Sequence, residues 1–169
     1  MKTATEISKW FIINRSELKN PSLEGSIKLQ KLLFFAWLIH FRRHGEALFD
    51  DDFFAFAKGP VVETVRKNYN TDFSKFLIPS NSKYTNEEID SLMLCNEIFG
   101  DSTAEELVDL SHNSPAWSKY FTQSLQGSSC DGFKSKDLSK IKKSDFDEEF
   151  DMIDTVLYVH ENMLSVECR

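Results

Sequence analysis

The sequence predicts a mainly α fold, a compact orthogonal bundle of about seven helices with one small β-hairpin. Three observations carry that expectation. Apolar residues recur at helical spacing through most of the 169 residues. Helix-start signals recur as well, either a Ser or Thr followed three positions on by Glu, or a Ser-Pro step. Only the stretch around Ala47 to Ala57 has the short aromatic runs that favour strands.

Taken in order, residues 4–19 place Ile7, Trp10, Phe11, Asn14 and Leu18 on one helical face, and Asn20-Pro21 is expected to end that helix, because the residue before proline avoids the helical region. Residues 26–44, SIKLQKLLFFAWLIHFRRH, form a second helix, with Ser26 as the expected N-cap and Gly45 as its stop. Its middle is apolar all round, so it is expected to be the central, buried helix. Ala47-Leu48-Phe49 and Phe53 to Ala57 flank Asp50-Asp51-Asp52 and read as a hairpin turning at the aspartates. Pro60 then suits the first position of a helix to about Asn70, with Val61, Val62, Val65 and Tyr69 inward.

Residues 73–82 read as a connector. Thr85 to Glu88 has the spacing of a capping box and opens a helix that Gly100 closes; Ser102 to Glu105 reads as a second box. Ser114-Pro115 starts a helix carrying Trp117, Tyr120, Phe121 and Leu125. Residues 126–144 are the most loop-like part of the chain, and a final helix is expected over 145–164. One domain, 1–169, is the expectation from length.

Composition narrows the function classes. The net charge is −7, with +3 over residues 1–70 and −10 over the remainder. An acidic chain repels phosphate backbones, so nucleic-acid binding is disfavoured. Cys95, Cys130 and Cys168 are far apart and no CxxC occurs, so neither a disulfide framework nor a zinc site is expected. The longest apolar run, Leu32 to Ile39, is far shorter than the roughly 20 residues of a membrane span. With no cleavable leader pattern at the start, a cytoplasmic protein with no membrane partner is expected.

Catalytic signals are weak. Gly59-Pro60 supplies one glycine and removes a backbone donor, which does not suit a phosphate cradle. Asp109, Ser111 and His112 are neighbours on one helix end and cannot converge as a triad. His40 and His44 have chelate spacing, but Arg42 and Arg43 lie between them. Asp50 to Asp52 lacks the alternation of a calcium loop and reads as a solvated turn. Asp145, Asp147, Glu148, Glu149 and Asp151 read as charge at a helix N-terminus. No catalytic residue, metal or cofactor is expected.

Three blocks nonetheless resemble one family when taken in register. They are IKLQKLLFFAWLIHF at 27–41, FFAFAKGPVVETVRKNY at 53–69 and STAEELVDLSHNSPAW at 102–117. Together they resemble the Panacea domain of SocA-like antitoxins, a phage-associated family, over roughly residues 5–125. The matching positions are Leu29, Lys31, Leu32, Gly59, Pro60, Val61, Leu107, His112 and Trp117, which we assign to the framework. Lys31 has no evident packing duty and is expected to meet a carboxylate or carbonyl inside the fold.

The resemblance implies an antitoxin that binds and masks a cognate toxin. Two alternatives follow in its wake: an adaptor that hands a partner to a ClpXP-type AAA+ protease, and, least favoured, a small-molecule enzyme with His112 and Lys31 in a pocket. No helix-turn-helix pattern is found in these residues, so promoter binding is not expected. Phe146, Phe150 and Tyr158, outside the three blocks, are the expected partner-facing residues.

Overall fold

The computed structural model describes residues 1–80, 82–126 and 136–167. It is mainly helical with one two-stranded antiparallel sheet. The longer helices are α1 (Ala4–Asn14), α2 (Leu23–His44), α3 (Glu63–Thr71), α5 (Asn86–Phe99), α6 (Ala104–Ser111), α7 (Pro115–Gln126) and α9 (Asp147–Glu167); α4 (Ser74–Leu77) and α8 (Lys136–Ser139) are single turns. The hairpin pairs β1 (Phe54–Phe56) with β2 (Gly59–Val61).

Helix α2 is the axis. From Lys28 to His40 every residue is buried, as its all-round apolar pattern requires. Phe34 and Trp37 meet Phe53 and Phe146 on one side, with Phe34 edge-on to Phe53 at 5.6 Å and to Phe146 at 5.7 Å between ring centres. On another side Phe35 stacks on Phe99 of α5 at 4.5 Å. Rings packed this way contribute about 0.5–1.5 kcal/mol per pair beyond their area. The helix ends where Gly45 turns left-handed at φ 72, a conformation glycine adopts without a Cβ penalty.

The ends of several elements differ from the sequence expectation. Helix α1 stops at Asn14, because Arg15 goes extended to reach Asn96, Asp101 and Glu17, and a 3-10 turn (Ser16–Leu18) follows. The N-cap of α2 is Ser22, not Ser26: the Ser22 hydroxyl accepts from the Gly25 N–H at 2.9 Å, while Ser26 is buried inside the helix. The second capping box pairs Thr103 with Glu106, one position later than expected, since both registers are present in Ser-Thr-Ala-Glu-Glu. The box at Thr85 and Glu88 forms as expected. The loop-like stretch 127–135, with Cys130, lies outside the described residues, as does Cys168.

The hairpin does not turn at the aspartates. Its turn is Ala57-Lys58, and Gly59-Pro60 belongs to β2 rather than to a helix start. Asp51 instead accepts from the Ala4 N–H at 2.8 Å at the start of α1, and Asp52 pairs with Lys140. Residues 140–141 run beside β1, with the Ile141 N–H bonded to the Phe53 carbonyl at 2.8 Å.

Glu149 also differs from its expected role. It is 1% exposed, and its Oε1 accepts from the Ser114 hydroxyl and from the Ala116 N–H at 3.0 Å. It therefore seats α9 on the N-terminus of α7, where the helix dipole favours a negative charge. Glu149→Ala is expected to lower the unfolding free energy by about 1–3 kcal/mol, through donors left buried and unpaired. Urea denaturation at pH 7 measures it. Asp147→Ala, at an exposed site in the same turn, is the control and is expected to shift stability by less than about 0.5 kcal/mol.

Candidate functional site

The hairpin matters because side chains from three helices hold its backbone. Gln30 clamps Val62 just beyond β2: the Val62 N–H donates to Oε1 at 2.7 Å and the Val62 carbonyl accepts from Nε2 at 3.3 Å. That amide stands in for a cap, since Val62 opens α3 with none of its own. One residue along α2, the Lys31 Nζ donates to the Pro60 carbonyl at 2.8 Å. The Trp117 Nε1 donates to the Phe56 carbonyl at 2.8 Å, and the His112 Nε2 lies 3.1 Å from the Ala57 carbonyl. His112 and Trp117 stack at 4.2 Å, and Trp117 stacks in turn on Phe121.

Gly59 sits at the middle of this arrangement. Neither turn residue has positive φ, so Gly59, at φ 94, supplies the left-handed step that brings β2 alongside β1. It also has no room: a Cβ there would overlap the Ser111 hydroxyl and approach the Lys31 Nζ. Pro60 next to it is tolerated because β2 is an edge strand and needs no further donor there.

Lys31 is 1% exposed, and no carboxylate of the described residues pairs with it. Burial alone pushes its pKa down to about 7 from the usual 10.5. A hydrogen bond to a carbonyl can be kept by the neutral amine, so the contact to Pro60 does not require a charge.

Several family-motif positions meet here. Lys31, His112 and Trp117 reach the hairpin to which Gly59, Pro60 and Val61 belong, while Leu29, Leu32 and Leu107 are buried. Ser111 and Gln30 belong to the same constellation; neither stood out in the sequence, because serine and glutamine carry no periodicity signal. His40 turns away from any chelate role, with its Nδ1 2.9 Å from the Ser91 hydroxyl and its pKa lowered by burial and by His44. Among the described residues no group of three or more His, Cys, Asp or Glu side chains could hold a metal ion. No described helix is long and apolar enough to cross a membrane.

The three residues expected to face a partner separate. Phe146 is fully buried against Phe34, Trp37 and Phe53, so it is a core residue and not part of a docking face. Phe150 is half-buried and stacks on Phe41 at 5.3 Å. Tyr158 is 68% exposed, and Val159, Met163 and Val166 are exposed on the same side of α9. Their successive spacings of one, four and three residues make one continuous apolar stripe.

A family model described as Antitoxin SocA-like, Panacea domain, matches residues 29–118. That span begins inside α2 and ends in the first turn of α7, so it takes in the whole hairpin corner and leaves out α9. No curated protein and no solved structure matches the chain.

Two outcomes are expected. Gly59→Ala should cost about 2–4 kcal/mol in urea unfolding, from backbone strain and overlap together. For Lys31, the unfolded chain binds more protons than the folded one between pH 7 and 10.5, so stability rises with pH across that window and the penalty is greatest below pH 7. Lys31→Met should remove that contribution, so its stability relative to the parent should fall on going from pH 7 to pH 10, at up to about 1.4 kcal/mol per unit. Paired urea curves at several pH values test the slope.

Proposed function

The chain belongs to the SocA-like antitoxin family through its Panacea domain, and on that premise we propose that it neutralises a cognate toxin by binding it directly. It does so as one domain, and without a catalytic step of its own. The observation that supports this reading is the stripe on α9. Tyr158, Val159, Met163 and Val166 are 68%, 49%, 62% and 71% exposed, a grouping of large apolar side chains that a solitary protein rarely leaves in water. The stripe lies outside the family match, where a surface fitted to one particular toxin is free to differ from those of its relatives.

Its surroundings are acidic. Glu161 and Glu167 flank the stripe, and residues 71–169 carry a net −10. A toxin with a basic working surface suits that field, which speeds encounter and discourages acidic competitors. An aromatic residue set in an apolar patch is the usual anchor of such an interface.

Co-expression with the product of a neighbouring reading frame, tested as the candidate toxin, provides the test. Tyr158→Ala combined with Met163→Asp is expected to abolish rescue of growth and to weaken toxin binding by at least about 30-fold. The urea midpoint should stay unchanged, since both side chains are exposed. Full rescue by this variant would remove α9 as the binding face. If toxin levels fell with the parent chain and recovered in a protease-deleted host, delivery to a protease would replace masking as the mechanism.

A further inference from the structure

A cavity of about 220 Å³ opens between the first turns of α2, the hairpin and α3. Its walls are mainly apolar, with Ile27, Phe56 and Val61 among them. Three basic side chains also line it, namely Lys31, Lys58 and Arg66, and among the described residues no carboxylate does.

Two of the three cations are incompletely satisfied. Arg66 lies over the Phe56 ring at 5.3 Å, and its Nε is buried with no hydrogen-bond partner. A buried guanidinium N–H left unpaired is costly unless something fills the space before it. The Lys31 Nζ has the Pro60 carbonyl as an acceptor, yet even a neutral amine carries two N–H donors. Gln30, the other polar group deep in the wall, is already committed to both backbone groups of Val62 and does not compete.

We propose that this cavity is a binding site for a carboxylate on a short apolar body. The guanidinium of Arg66 is its principal hydrogen-bond partner, Lys31 and Lys58 complete the positive field, and Ile27, Phe56 and Val61 receive the apolar part. An arginine fork matches a carboxylate better than a lysine alone, and the aromatic ring beneath it fixes its plane. The site is independent of the stripe on α9, which lies outside the cavity lining. Because burial holds the Lys31 pKa down at about 7, an arriving anion raises it again, so binding at pH 8 draws a proton from solution.

The shared chemistry has two sources, a free small acid or a glutamate side chain of a bound protein, and three probes separate them on the intact chain. Hexanoate, hexanamide and the blocked peptide acetyl-Leu-Glu-Leu-amide are titrated by calorimetry at pH 8 in buffers of different ionisation heat. Hexanoate or the peptide is expected to bind at least about tenfold more tightly than hexanamide, with net proton uptake. The tighter of the two identifies the source. Arg66→Gln, at a half-buried site, is expected to lose that tenfold preference while keeping the parent's urea midpoint. Equal affinity for hexanoate, peptide and hexanamide, or no saturable binding of any up to about 10 mM, overturns the proposal.

Discussion

A helix that is apolar on every side must be covered on every side, and α2 imposes that condition on the rest of the chain. Thirteen consecutive residues, 28–40, are buried, which exceeds what any single neighbour can shield. Helices α1, α3, α5, α6 and α9 and strand β2 all pack against it. Their order around α2 explains why a chain with 15 Phe is not left with a sticky surface everywhere. Phe53, Phe99, Phe146 and Phe150 lie in the layer next to this helix, each packed on an aromatic ring of α2.

Covering a helix so thoroughly leaves little freedom for polar groups, and those that remain inside are used as fasteners. Gln30, Lys31, His112 and Trp117 each hydrogen-bond a backbone group of the hairpin or its edge. This has a structural logic. A two-stranded ribbon is marginal by itself, and its free edge would otherwise present unpaired groups to water or to another chain. Side chains on α2, on α7 and at the end of α6 replace the missing strand. Lys31 occupies the deepest of these positions, and the low pKa that burial imposes means it serves there as a hydrogen-bond donor more than as a charge.

Local signals in the sequence are legible wherever a single residue decides the outcome. Gly45 ends α2, Thr85 and Glu88 form their box, and Pro115 opens α7. The sequence is ambiguous where two registers compete at similar cost, as with Ser22 against Ser26 and Ser102 against Thr103. The hairpin was displaced for a different reason. Phe49 resembles a strand residue in composition, but it is held by Trp37 and Lys143 through its carbonyl, a contact made across the fold and invisible to periodicity. Glu149 was hidden in the same way, since one buried acid in an acidic run looks like its solvated neighbours. The motif positions at the corner were legible only as a set; that they all meet the hairpin is tertiary information.

The peg at Glu149 divides the last helix into two parts with unequal obligations. Nine residues separate it from Tyr158, about 13 Å along the axis. The proximal half is tied to the body by that carboxylate, by Ile153 in the core and by the Arg42–Asp154 pair. Beyond it, from Glu161 onward, every described side chain is exposed. Sequence drift in that distal stretch carries almost no folding penalty, so its surface chemistry can be rewritten by descent while the scaffold beneath stays intact.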